Sequence, residues 1–150
     1  VGVAPGICSM APRCGHAAAM EYNGDLYSCD HFVFPEYRLG NIHRSTIAEM
    51  MASERQRAFG AAKRDSLPRQ CRECRWLQAC NGECPKNRFC TTPDGEPGLN
   101  YLCAGYHRFF SHVAPYMDWM KEALSREEAP AGIMDTPLAE EARRRTAAYD

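Results

Sequence analysis

Four cysteines within fourteen residues constrain this chain more than any other feature. The run from Cys71 to Cys84 has the spacing C-x2-C-x5-C-x3-C, with Cys74 and Cys80 between its ends. Loops of a few residues can curl several thiols around one centre, as a zinc ion or an iron–sulfur cluster requires. The run therefore predicts a metal or cluster site. The other five of the nine cysteines lie outside it: Cys8, Cys14, Cys29, Cys90 and Cys103.

A disulfide scaffold is the main alternative for so many cysteines. Such scaffolds are typical of short secreted chains with an even number of cysteines. This chain has 150 residues and nine cysteines, and its tightest spacings are C-x2-C and C-x3-C. These features favour ligation of a metal or cluster. Only one C-x2-C pair is present, so the spacing leaves zinc and iron–sulfur chemistry both open, at two four-cysteine sites with one thiol left over.

Composition and charge exclude several classes of function. The net charge of −1 provides no electrostatic basis for binding nucleic acid or an anionic membrane. No run of eighteen apolar residues is present, so we expect no membrane-spanning helix. The first residues include neither an initiator Met nor a signal peptide. We therefore expect a cytoplasmic fragment of a larger protein.

The sequence outside the cysteine run predicts a small, loop-rich α+β fold. Residues 18–22 and 25–29 are predicted as two strands joined at Asn23-Gly24, a pair typical of a type I′ hairpin turn. This N-terminal hairpin would carry Cys29 towards the loop that contains Cys8 and Cys14. Residues 37–42 are predicted as a turn that leads into a helix.

Two helices are predicted to flank the cysteine-rich loops. Thr46 and Glu49 have the spacing of a capping box, and the helix that they begin should end within residues 63–68. Residues 85–100 are rich in turn formers and are predicted as a flexible loop. The second helix follows, and Pro115 should kink or divide it. Its apolar residues recur at helical spacing and predict one buried stripe: Tyr106, Phe109, Phe110, Val113, Met117, Met120 and Leu124.

Several segments together resemble the C-terminal SPASM domain of radical S-adenosylmethionine enzymes. They are the cysteine run itself, the C-x5-C pair at Cys8 and Cys14, and Asn100-Tyr-Leu-Cys103. Two further segments resemble the anaerobic sulfatase-maturating branch: Gly24-Asp-Leu-Tyr-Ser-Cys29-Asp30 and Arg38-Leu-Gly-Asn-Ile42. On this basis residues 1–124 are predicted to be the auxiliary cluster domain. Residues 125–150 would be a charged C-terminal tail, and the sequence leaves open whether that tail is helical.

The resemblance implies two auxiliary [4Fe-4S] clusters with four cysteine ligands each. The first cluster would be held by Cys8, Cys14, Cys29 and Cys84. The second would be held by Cys71, Cys74, Cys80 and Cys103. These two sets interleave, because Cys84 leaves the central run to complete the site beside the hairpin. Cys90 has no counterpart in the family pattern and is not expected to be a ligand.

The family implies a reaction as well as a cofactor. Such enzymes oxidise a Cys or Ser of a sulfatase polypeptide to formylglycine, and Asp30 matches the carboxylate proposed as their general base. S-adenosylmethionine and a third cluster would belong to a radical core with a C-x3-C-x2-C motif, which this sequence lacks. The chain alone is therefore expected to be inactive. Its tasks would be electron transfer and placement of the peptide, with the sulfatase and its own core as partners.

Two alternatives remain open from the sequence. A SPASM domain of another radical enzyme, acting on a different peptide, would show the same cysteines. A zinc-binding structural or interaction module would use the same thiols without redox chemistry, and an isolated fragment could take up zinc in place of iron. His31 is a further candidate for a role in the site, because it directly follows Cys29 and Asp30.

Overall fold

A computed structural model describes residues 5–147 of the chain. Its contacts divide the chain into two compact units that meet in sequence between Ala104 and Gly105. The first unit contains all nine cysteines, every strand and four short or medium helices. The second consists of helices. The fold is thus small, loop-rich and α+β, as the sequence predicts.

A three-stranded antiparallel sheet forms the N-terminal part of the first unit. Strand β1 is Ala19–Met20, β2 is Asp25–Tyr27 and β3 is Arg38–Asn41, in the order β1-β2-β3. The hairpin prediction is confirmed, because Ala19 pairs with Tyr27 and Met20 with Leu26. Leu26, at the centre of β2, is buried.

The predicted type I′ turn is wrong. Within the turn only Gly24 has a positive φ, of 85°, whereas a type I′ turn needs two such residues. The backbone N–H groups of Gly24 and Glu21 donate to the carbonyls of Glu21 and Asp25, which gives a three-residue loop with glycine at its left-handed position. The Asn23 amide oxygen accepts from the N–H of Asp25 at 3.0 Å, and this local bond stabilises the longer turn.

Strand β3 forms within residues 37–42, where the sequence predicts a turn that leads into a helix. Gly40 pairs with Leu26 and lies against the buried Met50, so close that a Cβ atom on residue 40 would be 2.7 Å from the Met50 sulfur. Asn41 donates to Asp25 and to the carbonyl of Asn23, which closes the sheet edge over the turn. Contacts distant in sequence, rather than local propensity, therefore select the strand.

Two helices follow the sheet where the sequence predicts one. Helix α1 is Ile47–Met51, and the capping box between Thr46 and Glu49 is present as predicted. Helix α2 is Glu54–Asp65, and its N-cap Ser53 accepts from the N–H of Gln56. This second cap begins a new helix three residues after the first one ends, because the extended backbone of Ser53 interrupts the helical path.

The cysteine-rich segment has short helical turns and a second hairpin. Helix α3 is Arg69–Arg72 and α4 is Leu77–Cys80. Strand β4, Cys90–Thr91, pairs with β5, Pro97–Leu99. The flexible loop predicted for residues 85–100 is therefore wrong, because backbone pairing and the Thr92 side chain, which accepts from the N–H of Glu96, order most of this stretch.

Helices α5 (Cys103–Ser125) and α6 (Pro137–Ala147) dominate the second unit, with a 3-10 turn at Pro130–Asp135 between them. Pro115 lies inside α5, which continues past it. The stripe predicted to be buried is wrong in part, because Phe109, Met117 and Leu124 are 57%, 52% and 48% exposed. The buried residues here are instead Ala123, Ile133 and Ala139. None of the helices described is both long and apolar enough to cross a bilayer.

Candidate functional site

Four cysteines from distant parts of the first unit form what we call the first thiol group. Cys8 begins a 3-10 turn, Cys14 lies in the following loop, Cys29 follows β2, and Cys84 follows α4. Burial raises the pKa of the Cys14 thiol, and the nearby charges of Cys84 and Cys8 raise it further. Burial also raises the pKa of Cys29 to about 11, with Cys84 among the contributing charges. Cys84 is therefore near both Cys14 and Cys29, and Cys8 is near Cys14.

The remaining cysteines of the central run form a second thiol group with Cys103. Burial raises the pKa of Cys71 to about 11, and the charges of Cys103, Cys80 and Cys74 add to that rise. Burial likewise raises the pKa values of Cys80 and Cys103, and the nearby charge of Cys74 raises both further. The thiols of Cys71, Cys74, Cys80 and Cys103 thus lie near one another.

All nine cysteines are free thiols, so no disulfide framework is present in the described residues that contain them. Cys90 lies apart in strand β4, where it pairs with Leu99. Thiols with raised pKa values are protonated at neutral pH, and each must lose its proton to become a ligand. Four cysteine thiolates are the donor set of a structural zinc ion or of a [4Fe-4S] cluster.

Asp30 and His31 lie at the edge of the first thiol group. The Cys29 thiol donates to a carboxylate oxygen of Asp30 at 3.1 Å, and this bond lowers the pKa of Asp30. Nδ1 of His31 is 3.2 Å from the sulfur of Cys84. The ligating atoms of Cys29, Asp30 and His31 all lie within 4.8 Å of one another. Asp30 is exposed and can therefore be reached by a substrate.

Helix α2 positions the N-terminal cysteine loops through one polar face. Gln56, Gly60 and Lys63 are its buried residues, at helical spacing. The Gln56 amide donates to the carbonyls of Gly15 and Ser28, at 2.9 and 3.0 Å, and so joins the loops of Cys14 and Cys29. The Cys14 N–H donates to the Gly60 carbonyl, and a Cβ atom on residue 60 would be 2.5 Å from the Cys14 oxygen.

We expect Gln56→Met to destabilise the loops of Cys14 and Cys29 and so to reduce metal binding at the first thiol group more than at the second. The substitution keeps the side-chain length and removes two buried hydrogen bonds, which should lower the free energy of unfolding by about 1 to 3 kcal/mol. Iron or zinc content should also fall, because the loops of Cys14 and Cys29 lose their shared donor. Chemical unfolding and metal analysis measure both effects. The exposed Gln78→Met is the matched control, and equal results for the two variants would contradict this role of Gln56.

A short left-handed link, residues 81–83, connects the two thiol groups. Asn81, Gly82 and Glu83 have φ angles of 48°, 69° and 53°, and they separate Cys80 of the second group from Cys84 of the first. The Arg88 guanidinium donates to the carbonyl oxygens of all three residues at 2.8 to 2.9 Å. Left-handed backbone is unfavourable for non-glycine residues, so this link needs such external support.

Glu83 extends the support from the link towards Cys103. Its buried carboxylate accepts from the amides of Asn87 and Asn100, each at 2.8 Å. The Asn100 carbonyl in turn accepts from the N–H of Cys103. Sequence reasoning missed Gln56, Lys63, Glu83 and Arg88, since no local pattern distinguishes a buried polar residue from a solvated one.

Comparison with known proteins indicates the family to which these residues are similar. A family model for an iron–sulfur cluster-binding domain, SPASM, matches residues 8–75. Residues 8–75 of this chain are a SPASM domain, and the relatives of the chain are anaerobic sulfatase-maturating enzymes. It is 66% identical over 134 residues to the serine-type anaerobic sulfatase-maturating enzyme of Bacteroides thetaiotaomicron, an alignment that covers 89% of this chain and 32% of that enzyme. The family prediction from the sequence is confirmed.

More distant relatives include both substrate types. The chain is 39% identical to the serine-type enzyme of Klebsiella pneumoniae and 31% identical to the cysteine-type enzyme of Clostridium perfringens, over 72% of this chain in both cases and 25% and 29% of those enzymes. It therefore spans about a third or less of the length of these curated relatives. A solved structure of native anSMEcpe with bound AdoMet and Cp18Cys peptide has a TM-score of 0.62 and 30% identity, covering 73% of this chain and 30% of that one.

Proposed function

We propose that this SPASM domain binds two [4Fe-4S] clusters and serves an enzyme that oxidises a serine of a sulfatase to formylglycine. The nearness of Cys84 to Cys14 and Cys29, and of Cys71 to Cys74, Cys80 and Cys103, supports the proposal. Cys8, Cys14, Cys29 and Cys84 would hold one cluster, and Cys71, Cys74, Cys80 and Cys103 the other. The 66% identity to a serine-type enzyme favours serine over cysteine as the target.

The proposed protein includes parts beyond this chain. A radical core that uses S-adenosylmethionine would be the partner of this domain, in keeping with the bound AdoMet and peptide in the similar solved structure. We also propose a cytoplasmic location, because a reducing compartment keeps the nine thiols available as ligands. The peptide substrate would approach the exposed edge of the first thiol group, where Asp30 lies.

Oxidation of a serine side chain removes a hydrogen atom from Cβ, a proton from the hydroxyl and one electron. The hydrogen atom would go to the 5′-deoxyadenosyl radical of the core, and a bound iron–sulfur cluster would supply the one-electron acceptor. Asp30 would take the proton. Ligation removes the thiol proton of Cys29, so the Asp30 oxygen that accepts it in the present structure becomes free for the substrate hydroxyl.

Anaerobic preparation of the protein at its full natural length tests this function. Iron and sulfide analysis should find two [4Fe-4S] clusters that are lost from variants in either thiol group. A sulfatase-motif peptide with serine at the target position should then become lighter by two hydrogens in the presence of S-adenosylmethionine and a reductant. An iron-loaded protein that leaves this peptide unchanged would instead favour the SPASM domain of another radical peptide-modifying enzyme.

A zinc-binding structural module is the second candidate. The close approach of the Cys29, Asp30 and His31 ligand atoms, and of His31 to Cys84, is compatible with a mixed zinc site. A colourless anaerobic protein with bound zinc and no sulfide would support this alternative and would contradict the cluster proposal. Zinc found only after exposure to air would support neither function, because oxidised clusters degrade and leave thiols that bind zinc.

A further inference from the structure

The buried Lys63 and the half-buried Arg88 lie near the thiol groups, and in residues 5–147 neither forms an ion pair with a carboxylate. Lys63 is 1% exposed, and its ammonium group donates to the carbonyls of Cys8 and Ser9 at 2.6 and 2.7 Å. Arg88 is half-buried and donates to four carbonyl oxygens, those of the link and that of Lys63. Within the part of the chain that the structure describes, the ion pairs formed are on other residues.

Such cations are costly unless an anion lies close to them. Carbonyl groups satisfy the N–H donors but do not neutralise the charge, and an isolated buried charge is strongly unfavourable. Four thiolates outweigh the positive charge of a [4Fe-4S] core, so each loaded thiol group would be an anion. Burial lowers the pKa of both Lys63 and Arg88, and the neighbouring thiolates oppose that shift.

The two cations differ in which thiol group they face. Lys63 is bound to the turn that starts at Cys8, and its charge interacts with Cys14, Cys8 and Cys84, all in the first group. Arg88 is bound to the link between Cys80 and Cys84, and its charge interacts with Cys71 and Cys80 as well as with Cys84 and Cys14. Arg88 therefore faces both groups.

We propose that Lys63 raises the reduction potential of the cluster in the first thiol group, and that Arg88 raises the potentials of both clusters. This inference rests on the proposed function. Reduction of [4Fe-4S]²⁺ to [4Fe-4S]⁺ adds one electron, and hence one negative charge, to a centre that is already anionic. A fixed positive charge nearby stabilises the reduced form more than the oxidised form. Arg88 also holds the link, so its loss affects position as well as charge.

The test is a redox titration of the anaerobically prepared, full-length protein with dithionite, followed by electron paramagnetic resonance. Lys63→Met should shift one potential to a more negative value, by at least a tenfold change in the reduction equilibrium, or about 59 mV for a one-electron couple. Arg88→Met should shift two potentials in the same direction. Arg88→Lys, which keeps the charge, should restore most of the loss.

One control variant and two possible outcomes distinguish a failure of the inference from a failure of the proposed function. Arg64→Met is the matched control, because Arg64 neighbours Lys63 in sequence but is exposed and paired with Asp65. A wild-type protein without clusters would overturn the proposed function itself. Variants that keep full iron and sulfide content, with potentials equal to those of wild type, would overturn only the inference. If the Met variants lose iron, Arg88→Gln and Lys63→Gln take their place. Wild-type potentials in these Gln variants would likewise overturn the inference.

Discussion

Asp30→Asn is expected to abolish formylglycine formation while both clusters remain bound. Asn has the shape of Asp but cannot take a proton from the substrate hydroxyl, and loss of a general base lowers rates by about 100- to 10,000-fold. Asp30 is exposed and its observed partner is the neighbouring Cys29 thiol, so the substitution should not disturb the core. Mass spectrometry of a serine-containing sulfatase-motif peptide measures the rate, and iron and sulfide analysis measures cluster content.

Glu36→Gln is the control for this substitution. Glu36 is an exposed carboxylate of the same unit, in the 3-10 turn Pro35–Tyr37, and its neutralisation should leave turnover unchanged. Asp30→Glu keeps a proton acceptor one methylene further out and should keep part of the activity. If Asp30→Asn turns over at the wild-type rate, Asp30 is not the base. A loss of activity that parallels a loss of iron would instead assign Asp30 a structural role.

Several site residues could be predicted from the sequence, for different physical reasons. The two cysteine foursomes follow from the family resemblance, because thiol spacing is constrained by the centre that the thiols bind. Spacing alone suggests one site in the dense run, whereas the resemblance assigns Cys84 to the proposed site of Cys8, Cys14 and Cys29, and Cys84 is near Cys14 and Cys29. The position of the N-terminal hairpin was predictable because Asn23-Gly24 favours a turn, although the type of that turn was not.

The polar support of the site could not be predicted, since it depends on contacts between distant segments. Gln56 and Lys63 lie on a helix whose sequence suggests solvent exposure, yet their partners are the carbonyls of loops more than twenty residues away. Arg88 belongs to a stretch that the sequence describes only as loop. Strand β3 was missed for the same reason, because its pairing with Leu26 is a contact distant in sequence, where the local residues suggested a turn. Local patterns indicate candidate ligands, whereas the residues that support the candidate site depend on contacts that only the fold shows.

Gly82→Ala is expected to destabilise the protein by about 2 to 5 kcal/mol and to deplete both thiol groups of iron. Alanine at a φ of 69° costs about 1 to 2 kcal/mol. Its Cβ atom would also overlap the buried Leu67 side chain and lie 2.8 Å from Nη2 of Arg88, and such overpacking costs about 1 to 3 kcal/mol more. Both groups should respond because the link joins Cys80 to Cys84. Chemical unfolding and iron analysis measure these losses.

Gly95→Ala separates the two contributions. Gly95, in the turn between β4 and β5, has a φ of 88° with no atom within 4 Å of an added Cβ, so it carries the backbone strain without the overlap. It should cost only about 1 to 2 kcal/mol and leave iron content unchanged. Equal losses in the two variants would show that left-handed strain alone matters at residue 82. If Gly82→Ala lowers the free energy of unfolding more than Gly95→Ala and also loses iron, the packing of the link against Leu67 and Arg88 is what positions the two thiol groups.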